Sequence, residues 1–234
     1  MKEHNIPIED GKISAIHHES GNKRWIFLCH GFGGNKDRGN KRRAKYLNNK
    51  GWNAVRFDFR GNGASSGDFI DQDLSSRIKD LKTVIDYFDP ENYAVFATSF
   101  GGKVALHASE DLENLNCLFL KAPVTYNSIM SGFNKAVENK GRFEYIEGKP
   151  IDKRFFEDFA KYKYENIKEE IDVPLGIIHG SKDTTVHIEN SYKAVQNLEV
   201  DTSVFSIKGE RHSFSDDAGE KLRRLMISWL KNYY

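Results

Sequence analysis

A chain of 234 residues is long enough for one large α/β domain with a substantial buried core, and no internal repeat or Gly/Ser-rich linker divides it. Its 35 basic and 34 acidic side chains leave a formal charge of +1 with no basic block, which excludes the electrostatic footprint of a nucleic-acid binder and points to a small-molecule partner. No apolar run approaches the length of a membrane span, and the charged opening MKEHNIPIEDGK lacks the apolar stretch of a signal peptide, so a cytoplasmic protein is expected.

Lys12 to His17 reads as a weak antiparallel strand. It is followed by the apolar strand Trp25 to Cys29, a basic helix over Asp37 to Lys50 and the strand Asn53 to Phe57, a βαβ rhythm. From Asp73 to Phe88 the apolar positions Leu74, Ile78, Leu81, Ile85 and Phe88 recur at steps of three and four, which predicts a helix capped by Asp73 and packed on a sheet. Tyr93 to Ala97, Cys117 to Leu120 and Leu175 to Ile178 read as buried parallel strands, with a helix over Phe100 to Ser109 after the first. Between about residues 124 and 170 the rhythm breaks into a charged, aromatic segment. Phe155, Phe156, Phe159 and Tyr162 share one helical face there and Asp152 is placed to cap it, so an insertion covering the sheet is expected. Thr202 to Ile207 supplies one more strand, and Leu222, Leu225, Met226 and Trp229 mark a closing helix. Cys29 and Cys117 sit in apolar runs and read as small buried hydrophobes, with no disulfide or metal role.

An open parallel sheet binds ligands outside the carboxyl ends of its strands, so the residues that follow each apolar run carry the functional reading. These are His30-Gly31-Phe32-Gly33-Gly34, then Ser99 in ATSFGG, then His179-Gly180-Ser181-Lys182-Asp183, and finally His212 after the last strand. A serine nucleophile needs a base to take its proton, and the base needs a carboxylate to fix its tautomer. Ser99, His212 and Asp183 supply these parts in the chain order Ser, Asp, His. Asp86, Asp172 and Asp201 are placed inside a helix or ahead of strands, and His30 and His179 read as loop-bracing residues. No HxH, HExxH, CxxC or GxxxxGK[ST] spacing occurs, so neither a metal nor a phosphate-cradling loop is expected.

The segments HGFGG, DFRGNGASSG, ATSFGG and HGSKD resemble those of the α/β-hydrolase family over nearly the whole chain. They look most like small serine esterases of the cinnamoyl (feruloyl) esterase and monoacylglycerol lipase kind. The resemblance implies an α/β-hydrolase fold with a mostly parallel central sheet, helices on both faces and a small helical cap insertion at about residues 124–170. It also implies that the backbone N–H groups of Phe32 and Phe100 form an oxyanion hole, and that Asp58 and Arg60 brace a loop. The elbow departs from GxSxG in having Ala97 at the first glycine, a one-methyl change that active lipases of the family also carry. The expected activity is hydrolysis of short to medium acyl or aryl carboxylic esters through an acyl-enzyme on Ser99, with a small-molecule ester substrate, no cofactor, no nucleic acid and no membrane span. Phe133 or Phe156 is expected to line the acyl pocket. A serine peptidase, an acyl-thioesterase and a non-catalytic scaffold stay open as alternatives, and so does a homodimer.

Overall fold

In the computed structural model, which describes residues 1–234, the chain forms ten strands: β1 (Lys2–Ile8), β2 (Gly11–His18), β3 (Trp25–Cys29), β4 (Asn53–Phe57), β5 (Tyr93–Thr98), β6 (Leu115–Lys121), β7 (Arg142–Ile146), β8 (Lys149–Asp152), β9 (Leu175–Gly180) and β10 (Thr202–Ile207). The helices are α1 (Gly39–Asn48), α2 (Leu74–Phe88), α3 (Phe100–Ala108), α4 (Ser131–Lys140), α5 (Lys153–Phe159), α6 (Tyr164–Ile167), α7 (Glu189–Val195) and α8 (Asp216–Leu230). None is long and apolar enough to cross a membrane.

Eight strands make one sheet in the order β1-β2-β4-β3-β5-β6-β9-β10. The β1/β2 and β2/β4 pairs are antiparallel, and the remaining pairs are parallel. Successive side chains of a strand point to opposite faces, so a strand covered on both sides must be apolar throughout. In β5, Tyr93, Val95 and Ala97 enter the core shared with α2 and α3, while Ala94 and Phe96 enter the core shared with α1 and α8. The sheet is therefore sandwiched between two helical layers, as an α/β-hydrolase fold requires.

From β3 the chain moves outward to β4, whereas from β5 it moves the other way through β6, β9 and β10. The order thus reverses between β3 and β5, and the crevice at their carboxyl ends is where such a sheet receives ligands.

Two elements lie outside the sequence expectations. β1 runs beside β2 from Lys2 opposite His17 to Ile8 opposite Gly11, and only Ile6 of its seven residues is buried, so it lacks an apolar signature. Within the region after β6, β7 and β8 form a two-stranded antiparallel ribbon between α4 and α5. The caps match the expectations. Asp73 accepts from Ser76 N and makes a reciprocal capping box with it, and Asp152 accepts from Arg154 N at the start of α5. Asp158 of α5 reaches back to α2, where the Leu74 and Ser75 N–H groups donate to its Oδ2 at 3.0 Å each.

Candidate active site

The turn after β5 forces Ser99 into an unusual backbone conformation, φ 53° and ψ −118°, where an L-residue persists only if its surroundings hold it. They do so through three main-chain bonds. Ser99 N–H donates to Lys121 O at 2.8 Å, and Ser99 O accepts from Gly102 N at 2.8 Å and from Val124 N at 3.0 Å. The neighbouring glycines are sterically required. A Cβ on Gly101 would lie 2.5 Å from His30 O, and one on Gly102 would lie 2.7 Å from Pro123 Cβ. Ala97, in contrast, is fully buried within the core, where its methyl group is accommodated.

Ser99 Oγ lies 3.0 Å from His212 Nε2, and His212 Nδ1 lies 2.7 Å from Asp183 Oδ2. A carboxylate only accepts, so Nδ1 carries the proton and Nε2 faces the serine hydroxyl as an acceptor. Asp183 is fully buried at its side chain and takes four hydrogen bonds: Oδ1 from Thr185 N and Val186 N at 2.9 Å each, and Oδ2 from His212 and from His179 Nε2 at 3.1 Å. Burial alone would raise its pKa, but donation from His179, His212 and Val186 N outweighs burial and holds the carboxyl well below the usual carboxylate range.

Three residues support this arrangement: His179, which the sequence marks as loop-bracing, and Lys121 and Lys149, which did not stand out there. His179 is buried within β9, which extends two residues past the apolar run that marks it. Its Nδ1 meets Ser191 Oγ at 2.7 Å, which directs Nε2–H to Asp183 and to Val186 O. Lys121 ends β6, donates from Nζ to His212 O at 2.5 Å and lies 4.2 Å from the Phe214 ring centroid. Burial, aided by Arg43 and opposed by Asp183 and Glu210, pushes its pKa down to about 8. On the other side of the site, Lys149 of β8 donates to Gly33 O, beside Phe32.

Phe32 and Phe100 both border the cavity at Ser99. Phe100 is the first residue of α3, so its N–H has no acceptor inside the helix, and the Phe32 N–H donates to no group of the protein. The two rings meet at 5.1 Å. His30 braces the Phe32 loop: its Nδ1 donates to Gly31 O at 2.8 Å and its Nε2 accepts from Phe59 N at 3.1 Å. Burial, assisted by Arg77, pushes His30 down to about 3 and keeps the ring neutral for these two bonds. Asp58 accepts from Lys36 N and Nζ at 2.6 Å and from Ala64 N at 2.9 Å, and Arg60 pairs with Asp80, so both tie the loop after β4 in place.

The cavity holds about 440 Å³, and nine of its 13 lining residues are hydrophobic. No charged side chain borders it. Phe133 lines it together with Phe143 and Tyr145 of the ribbon and Thr184, Thr185 and Val186 of the loop after β9. Phe156 does not. It packs against the core beside Phe155, with ring centroids 5.1 Å apart.

A family model described as serine aminopeptidase, S33, matches residues 20–148. A mitochondrial palmitoyl-protein thioesterase, ABHD10 of Pongo abelii, is 23% identical over 192 residues, covering 76% of this chain. The chain spans 63% of the length of that relative. Among solved structures, mouse alpha/beta hydrolase domain-containing protein 10 superposes with a TM-score of 0.89 at 17% identity, covering 100% of both chains. Est1E of Butyrivibrio proteoclasticus with ferulic acid bound superposes with a TM-score of 0.84 at 18% identity, covering 97% of this chain and 99% of that one.

Proposed function

The chain belongs to the serine aminopeptidase S33 family of α/β-hydrolases, and on that premise we propose that it cleaves carboxylic esters through an acyl-enzyme on Ser99. The observation that carries this reading is the unbroken chain of contacts from Ser99 Oγ through the His212 imidazole to Asp183, at 3.0 and 2.7 Å. His212 Nε2 takes the hydroxyl proton as Oγ attacks the ester carbonyl, and the Asp183 carboxylate stabilises the imidazolium that results. The Phe32 and Phe100 N–H groups receive the carbonyl oxygen as it becomes negative, helped by the positive end of α3. Collapse breaks the bond to the leaving alcohol, which departs with the proton from His212. Water then repeats the sequence on the acyl-enzyme, with His212 as base, and releases the acid.

The uncharged, aromatic cavity suits a neutral acyl or aryl group. It offers no carboxylate to the ammonium group that an aminopeptidase substrate carries, which favours ester over N-terminal peptide cleavage. An acyl thioester is the second reading, favoured by the name of the 23% identical relative. Both bonds are tested by the turnover of p-nitrophenyl acetate, butyrate, octanoate and decanoate and of the matching acyl thioesters, with Ser99→Ala alongside. The expected result is ester hydrolysis at a chain length the cavity accepts, with a loss of roughly 10⁴-fold or more in Ser99→Ala. Undiminished turnover in that variant would remove Ser99 from the mechanism.

A further inference from the structure

Arg77 of α2 is completely buried, yet it has no carboxylate partner. Its Nε donates to Gln72 Oε1, and neither Nη1 nor Nη2 finds an acceptor. Asp80, three residues along the helix, and Asp73 act on the guanidinium only through space, and Asp80 pairs directly with Arg60 at 2.6 Å. What surrounds the guanidinium is aromatic: the Phe59, Phe100 and Phe32 ring centroids lie 5.1, 5.4 and 5.5 Å from its Cζ. Two of these three rings belong to Phe32 and Phe100, which line the cavity beside Ser99 and whose N–H groups find no acceptor in the protein. Phe155 of the cap packs against two of them, 5.3 Å from Phe32 and 5.8 Å from Phe100.

Burying a cation without a counter-ion is costly, and aromatic faces recover part of that cost most strongly where water is excluded. A ring packed against both a guanidinium and Phe155 has little room to move, which restricts the backbone that carries the adjoining N–H. The charge itself also acts over distance in a dry interior, as its part in keeping His30 neutral illustrates.

We propose that Arg77 is a positioning residue for the oxyanion donors. Its guanidinium clamps the rings of Phe32 and Phe100 and sets a positive potential beside the point where the carbonyl oxygen gains charge. The assignment rests on the acyl-transfer reading of Ser99. A neutral ester carbonyl gains little from this potential and the tetrahedral oxyanion gains much, so the effect belongs to kcat and not to KM.

Arg77→Met keeps an apolar stem among the rings and removes the charge, whereas Arg77→Lys keeps the charge and loses the planar contact with three rings. For each variant, kcat and KM on p-nitrophenyl butyrate, inhibition by an alkyl trifluoromethyl ketone that adds to serine as an anionic hemiketal, and the urea midpoint are measured. In Arg77→Met, kcat should fall roughly 10- to 100-fold, a smaller loss than deletion of a whole donor brings, while KM stays within about twofold. Ketone affinity should fall in parallel with kcat, and the urea midpoint should hold or rise because an unpaired buried charge is gone. Arg77→Lys should fall between the two, about threefold below wild type in kcat. If the Met variant fails to fold, parallel losses of kcat and ketone affinity at constant KM in Arg77→Lys carry the same support. Wild-type kcat in Arg77→Met, a Lys variant no better than the Met variant, or a kcat loss without any loss of ketone affinity would overturn the role of Arg77 alone. A wild-type chain inert on every ester and thioester would overturn both this role and the acyl-transfer reading.

Discussion

Asp183 Oδ2 receives two imidazole N–H groups, from His212 at 2.7 Å and from His179 at 3.1 Å, and only the first belongs to the ring that meets Ser99. Removing the second donor leaves the carboxylate with three bonds. His179→Phe should therefore lower kcat on p-nitrophenyl butyrate roughly tenfold with little change in KM. Loss of the carboxylate from a Ser-His-Asp triad costs about 10⁴-fold. A loss in KM instead of kcat would show that His179 shapes the cavity and does not hold Asp183. Ser99, Asp183 and His212 were legible in the sequence because each follows a strand and each has a chemistry that makes sense only with the other two. His179 was legible as a loop-bracing histidine at a strand end, and its bond to Asp183 fits that reading. Lys121 was hidden: in CLFLK it looks like a boundary, and its contact with His212 O spans 91 residues.

Among elements, the cap is tied to α2 chiefly by Asp158, whose Oδ2 satisfies the first two N–H groups of that helix while its Oδ1 accepts from Ser75 Oγ at 2.5 Å. Asp158→Ala should destabilise the protein by about 1–2 kcal/mol, as loss of a helix N-cap does. It should also speed hydrogen exchange in α5 and at the start of α2 while leaving β5 and β6 protected. Uniform exchange across the molecule would argue that cap and sheet open as one unit. The caps at Asp73 and Asp152 were readable because an N-cap aspartate stands directly before its helix. Asp158 caps a helix 84 residues away, and no local pattern records that. The β7–β8 ribbon did leave a trace: RFEYI alternates half-buried Phe143 and Tyr145 with exposed neighbours. The segment is short, and its role rests on contacts with distant residues, such as the Tyr145 ring 5.0 Å from Phe32, that no local pattern records.

Across the whole molecule, buried histidines make stability depend on acid. Burial is the main cause that pushes His30 and His107 down to about 3 and His18 down to about 4. An unfolded histidine titrates at about 6.5. Below that value the unfolded chain takes up protons that the folded chain refuses, so the stability held above about pH 6.5 is lost as pH falls toward the folded values. His107 packs edge-on against Tyr162, away from Ser99, and its Nε2 has no partner. In His107→Phe, unfolding free energies from urea titrations at pH 4 to 7 should decline less steeply on acidification, by up to about 1.4 kcal/mol per pH unit. An unchanged slope would mean that this ring does not contribute. The parallel sheet was legible at this scale from its apolar runs, whereas the shape of the cavity depends on packing between distant segments. The chain quits the sheet after β6 and rejoins it at β9, and those two strands are hydrogen-bonded neighbours. The excursion supplies Val124, Ile129, Met130, Phe133, Phe143 and Tyr145 to the cavity wall but none of the three residues that meet at Ser99. More than half of the cavity wall thus comes from one excursion that leaves and re-enters the sheet at adjacent strands, so the lining is free to drift in sequence while Ser99, His212 and Asp183 keep their places at the strand ends.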